Sequence, residues 1–130
     1  MSPDVKPKIL LVDDEKMLLE LYSIKFVKNG FDVVVCSSAE QALELLKQGY
    51  TPDAILFDIT MPEMSGYEFL EHINTMHLPK KCLKIALTNE SQDGEKMRTV
   101  ALGVHAHLVK AEYTPGELAE QIKELLKKYA

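Results

Sequence analysis

Several things are scarce in this chain of 130 residues, and each scarcity removes a class of function. Cysteine occurs twice, at Cys36 and Cys82, too far apart for a metal-ligand pair, which fits buried thiols in a reducing compartment and not a disulfide framework. No apolar run approaches the roughly 18 residues that a membrane span needs, and the start, Met1-Ser2-Pro3-Asp4, has no signal-peptide profile. A cytoplasmic protein with no membrane partner is expected. Basic residues are outnumbered, giving a net charge of −5, so there is no electrostatic footprint for direct nucleic-acid binding. His and Cys never fall at zinc-ligand spacing. No Ser/Thr/Gly-rich phosphate loop follows the first apolar run, which argues against a flavodoxin-like cofactor binder.

What is present has the size and make-up of one globular domain, with 46% hydrophobic and 27% charged residues. Residues 1–7 read as a loosely held lead and residues 8–130 as the domain. Short apolar runs suit strands: Ile9–Val12, Phe31–Cys36, Ala54–Phe57, Cys82–Leu87 and Ala106–Val109. Helices alternate with them. The first runs from Lys16 to Lys28 with a stop at Asn29-Gly30, and its apolar residues cover more than half its circumference, so part of that surface is spare. Ser38 with Gln41, and Ser65 with Glu68, make capping boxes for the second and third helices. A weak helix carries Met97 and Val100 up to Gly103. Thr114-Pro115-Gly116-Glu117 opens a last helix with Leu118, Ile122, Leu125 and Leu126 on one face. Five strand–helix alternations predict an α/β fold: a doubly wound, flavodoxin-like sheet of five parallel strands, order 2-1-3-4-5.

The residues that strand formation does not explain all stand at strand ends. Asp13-Asp14-Glu15 follows the first strand, Asp58 ends the third, Thr88 the fourth and Lys110 the fifth. In such a sheet the carboxyl ends at the point of reversal form the ligand crevice, and Asp13, Asp14 and Asp58 come there from neighbouring strands. Clustered carboxylates with no softer donor suit Mg²⁺. A carboxylate can also attack phosphorus, and the transferred phosphoryl oxygens then need cations and donors, for which Thr88 and Lys110 are suited.

On Asp13-Asp14, the segment Asp58-x-x-Met61-Pro62-x-Met64-x-Gly66, Thr88 and Lys110, the chain resembles the receiver domains of two-component response regulators, from Lys8 to about Lys128. The resemblance implies that Asp58 is the phosphoacceptor, Asp14 a direct Mg²⁺ ligand, Asp13 a ligand through water and Thr60 a ligand through its backbone carbonyl. Thr88 would be the switch hydroxyl and Lys110 the phosphate contact. The implied donor is a sensor histidine kinase or a histidine phosphotransfer protein, and the implied output is a changed face of helix four, strand five and helix five. The expected output is either contact with an unknown downstream protein, if the receiver stands alone, or a fused output domain, if it is part of a longer chain. The chain would be no enzyme beyond catalysing its own phosphorylation and dephosphorylation.

Ala111, Asn89 and His107 depart from the family's usual residues. The bond between Lys110 and Ala111 is expected trans, since cis costs a non-proline residue about 2.5–4 kcal/mol. Two alternatives stand beside this reading. An Asp-nucleophile phosphatase would carry a second Asp at position 60, where Thr60 stands. A phosphorylation-independent scaffold would use the same acids for a structural ion.

Overall fold

The computed structural model describes residues 5–79, 81–89 and 93–130, with the side chains of 93–95 excepted. Five strands and five α-helices alternate: β1 (Lys8–Val12), α1 (Lys16–Lys28), β2 (Asp32–Cys36), α2 (Ala39–Lys47), β3 (Ala54–Asp58), α3 (Gly66–Thr75), β4 (Leu83–Thr88), α4 (Asp93–Ala101), β5 (Ala106–Val109) and α5 (Pro115–Lys128). All pairings are parallel and the order is β2-β1-β3-β4-β5, the flavodoxin-like arrangement. Among the described residues no helix is long and apolar enough to cross a membrane.

The alternation of side chains along each strand divides the core in two. Ile9, Leu11, Leu56, Ile85 and Leu108 face α1 and α5, where Leu19, Tyr22, Phe26, Leu118, Ile122 and Leu125 meet them. Leu10, Val12, Ile55, Phe57 and Ala86 face the other way, towards Ala42, Leu43, Leu46, Phe69, Leu70 and Ile73 of α2 and α3. Because both faces are covered, β1 and β3 are continuous apolar runs; every residue of β3, Asp58 included, is buried.

Helix ends follow local chemistry. The capping boxes at Ser65/Glu68 and Thr114/Glu117 are formed as expected, with Thr114 Oγ1 accepting the Glu117 N–H at 3.1 Å and the Glu117 carboxylate accepting the Thr114 N–H at 2.8 Å. The third box is half made. Ser38 Oγ accepts the Gln41 N–H at 3.2 Å, but the Gln41 carbonyl takes the N–H of Ser37 at 2.8 Å and not that of Ser38. Gly30 and Gly49 stop α1 and α2 with φ of +88° and +101°. The spare surface expected on α1 is there: Met17, Leu21, Ile24 and Val27 are exposed.

Just before β1, the Pro7 carbonyl accepts the Asp32 N–H at 2.9 Å. Residues 1–4 of the lead lie outside the described residues. No cis peptide bond occurs among the described residues, so Lys110–Ala111 is trans, and the chain turns there through a short 3₁₀ helix, Lys110–Glu112.

Candidate functional site

The carboxyl ends of β1, β3, β4 and β5 deliver one residue set to one place. Asp13 leaves β1, and its Oδ1 accepts the Glu15 N–H at 3.0 Å, which bends the chain into α1. Asp58 is the last residue of β3, in register with Leu87 of β4. Thr88 follows Leu87 and is buried, and Lys110 follows Val109, which pairs with Thr88.

Lys110 is the hub. Its Nζ donates to Asp13 Oδ2 at 2.5 Å and lies 3.5 Å from Asp58 Oδ1, with all three side chains buried. One oxygen from each of Asp13, Asp14 and Asp58 can be chosen so that all lie within 4.8 Å of one another. Two carboxylates, Asp13 and Asp58, therefore share one ammonium, with the third, Asp14, close beside them. Asp58 bears the shortfall. Burial, with added repulsion from Asp13 and Asp14, pushes its carboxyl up to about 6, against the pull of Lys110 and of a hydrogen bond from the Thr60 backbone N–H. Its Oδ1 is buried with no hydrogen-bond partner among the described residues. Lys110 shifts upward too: burial alone would lower it, but the hydrogen bond with Asp13 and the charges of Asp58 and Asp13 outweigh that.

This donor set fits a hard divalent cation. It is all oxygen, it carries more negative charge than its one lysine cancels, and it includes a buried carboxylate oxygen lacking a hydrogen bond. Asp14 adds an exposed carboxylate at the rim. Thr60 is exposed beside Asp58 in sequence, and its N–H, the group the structure engages, serves Asp58.

The loop from β3 to α3 lies tight against the backbone of Asp58. The Gly66 N–H donates to the Ile59 carbonyl at 2.8 Å, and a Cβ at residue 66 would strike the Asp58 carbonyl oxygen and sit 2.7 Å from Ile59 Cα. Only glycine admits that approach. Met61 is buried in the core and Met64 packs at its edge.

The family model for the response regulator receiver domain matches residues 9–123. The chain belongs to the receiver domains of response regulators. Among curated relatives, it is 35% identical over 121 residues to the Regulator of RpoS of Escherichia coli K12, covering 93% of this chain and 35% of that protein. It is 28% identical over 121 residues to the alkaline phosphatase synthesis transcriptional regulatory protein PhoP of Bacillus subtilis, covering 93% of this chain and 49% of that one. The receiver thus spans about a third to a half of these relatives. The solved structure of the chemotaxis response regulator CheY4 of Vibrio cholerae matches with a TM-score of 0.84 at 26% identity, covering 93% of this chain and 99% of that one. A CheY-like receiver domain protein from Methanospirillum hungatei matches at 0.85 and 26%, covering 96% and 97%.

Receiver domains are phosphoacceptors that work with histidine kinases or phosphotransfer proteins and generally bind Mg²⁺ at an acidic pocket. Two kinds of relative are named as transcriptional regulators, so the expectation of no nucleic-acid contact finds no support among them.

Three contributions went unread in the sequence. The direct Lys110–Asp13 bond is one, joining residues 97 apart. The steric demand at Gly66 is the second. The third lies at the opposite end of the sheet. Lys84 donates from Nζ to Asn74 Oδ1 at 2.7 Å, while Asn74 Nδ2 donates to the Leu102 carbonyl at 2.7 Å. His105 joins them, its Nδ1 accepting the Lys84 N–H at 3.0 Å and its ring meeting Tyr129 edge-on at 5.1 Å.

Proposed function

We propose that this receiver domain accepts a phosphoryl group on Asp58 from a phosphohistidine of a sensor kinase or phosphotransfer protein, in a Mg²⁺-dependent reaction. The observation that carries this reading is the state of Asp58: buried, raised to about 6, without a hydrogen bond on Oδ1, and within ion-pair range of Lys110. At neutral pH such a carboxyl is mostly ionised, so an Asp58 oxygen can form the new O–P bond as the donor's N–P bond breaks and the imidazole leaves with a proton from solvent. Lys110 neutralises charge on the transferred group, and the Thr88 hydroxyl, buried at the end of β4, is the donor on its other side. Asp13, Asp14, Asp58 and the Thr60 carbonyl would hold Mg²⁺, which supplies charge neutralisation to the phosphoryl oxygens when bound.

The apolar stripe Met17, Leu21 and Ile24 on α1 begins three residues after Asp14 and gives the phosphodonor a surface to seat on. Output goes through α4, β5 and α5. His107, half-buried on β5 opposite Ala86, takes the place from which a side chain follows Thr88. Thr60 leaves position 60 without the acid that a phosphatase of the Asp-nucleophile kind uses, which favours stable acceptance over turnover.

The test is labelling with acetyl phosphate and Mg²⁺, read by intact-mass spectrometry. One alkali-labile phosphoryl group is expected on the wild type and none on Asp58→Asn. Equal labelling of both would sink the proposal.

A further inference from the structure

Helix α4 is held unlike the other helices. Of its described side chains only Thr99 is buried, and that hydroxyl bonds within the helix, to the Lys96 carbonyl at 2.9 Å. Met97 and Val100 are 72% and 57% exposed. A helix that buries so little apolar surface draws little from the hydrophobic effect, so its placement falls to a few specific contacts. Two of these come from α3. At the end of α4, Asn74 Nδ2 bonds the Leu102 carbonyl. Within the helix, the Arg98 guanidinium lies 3.8 Å over the centre of the Tyr67 ring.

Tyr67 is the second residue of α3, and its neighbour Gly66 is the residue fixed to the Ile59 carbonyl and pressed against the Asp58 backbone. Four short links therefore join Asp58 to α4: the Asp58–Ile59 backbone, the Gly66 hydrogen bond, the first turn of α3 and the Arg98–Tyr67 contact. The Ser65 capping box holds that first turn rigid. This route avoids Thr88 and β5 altogether.

We propose that Arg98 and Tyr67 are positioning residues, a cation–π latch through which the loop after the phosphoacceptor sets the placement of α4. The inference rests on the reading of Asp58 given above. A ligand at Asp58 acts on α4 through this latch as well as through the end of β4, and the exposed face bearing Met97 and Val100 turns with it. The contact is cationic and aromatic, so Tyr67→Phe keeps it, Arg98→Lys keeps it in weaker form, and Tyr67→Leu and Arg98→Met each remove it while retaining bulk.

The experiment measures amide hydrogen exchange and NMR shifts of residues 96–101 in the full chain, with and without beryllofluoride and Mg²⁺. In Tyr67→Leu and in Arg98→Met, exchange in α4 is expected to quicken by about two- to fivefold, the factor one exposed cation–π contact supplies. The double variant should go no further than either single one. The beryllofluoride-induced shifts at 96–101 should shrink in both single variants while shifts around Asp58 persist, and Tyr67→Phe should behave as wild type. Unchanged exchange would overturn the latch. Faster exchange with undiminished shifts at 96–101 would reduce it to a tether and overturn the coupling. Should the wild type show no beryllofluoride response around Asp58, it is the phosphoacceptor reading that falls, and the exchange measurement still judges the latch.

Discussion

At the carboxyl ends of β1, β3 and β5, three carboxylates cluster, two of them sharing one buried ammonium, and Asp58 is pushed up to about 6. At the amino ends of β4 and β5, Lys84, Asn74, His105 and the Leu102 carbonyl satisfy one another in a chain of hydrogen bonds between 2.7 and 3.0 Å. One end leaves charge uncompensated where a cation and a phosphoryl group would compensate it. The other closes its polar groups and binds α3, α4 and β5 into a frame. A sheet of this kind can tolerate the first because it has the second: local rules are broken where chemistry is done and kept elsewhere.

The comparison breaks most easily at Lys110. Lys110→Met removes the only cation in ion-pair range of Asp13 and Asp58 among the described residues, and is expected to cost about 3–5 kcal/mol of stability in metal-free protein at neutral pH. Urea unfolding measures it. Part of the loss should return in acid, as the Asp58 carboxyl takes up a proton; a loss unaffected by pH would mean that packing, not charge, dominates at this position.

Asp58→Asn should act in the opposite sense. A carboxyl whose folded value is raised from 3.8 to about 6 favours the folded state below about 4 and loses that advantage as pH rises through 6. Replacing it should stabilise the metal-free protein at pH 7 by about 2–3 kcal/mol, an advantage that fades towards pH 4. Denaturant titrations at several pH values with a chelator present give both numbers. No stabilisation at pH 7 would show that Asp58 is well compensated as it stands.

The smallest effect belongs to the other end and has the other sign. Burial, with the positive charge of Lys84 nearby, lowers the His105 imidazole below its usual value, and its Nδ1 accepts the Lys84 backbone N–H. Its contribution is complete above about 6.5 and is lost as pH falls through the lowered value. NMR titration of the His105 ring should place its midpoint below 6.5, and His105→Asn should flatten that part of the stability profile. A midpoint at or above the unperturbed value would remove the contrast between the ends.

How legible all this was differs by physical cause. The five-stranded order and the acids at strand ends could be read because continuous apolar runs and local capping patterns depend on neighbours a few residues apart; Ser65 with Glu68 and Thr114 with Glu117 formed as written. The pairing of Asp13 with Lys110 could not, since the sequence places both at strand ends but not which carboxylate the ammonium prefers. The bond from Asn74 to Leu102 crosses 28 residues, and the Arg98–Tyr67 contact joins two helices whose mutual placement no periodicity encodes. Gln41 reached Ser37 and not Ser38 because two adjacent N–H groups compete for one carbonyl, a choice settled by geometry.

Gly66 carries no group that reacts, binds or titrates, yet its α-carbon rests against the backbone that aims Asp58. In a deep mutational scan scored on signalling, position 66 should therefore group with Asp58 and Lys110, not with Gly30 or Gly103, where an added Cβ meets open space and a positive φ is what a side chain would strain. Alanine there moves the Asp58 carboxylate without touching it, so such a scan would rank as indispensable a residue that has no side chain to contribute.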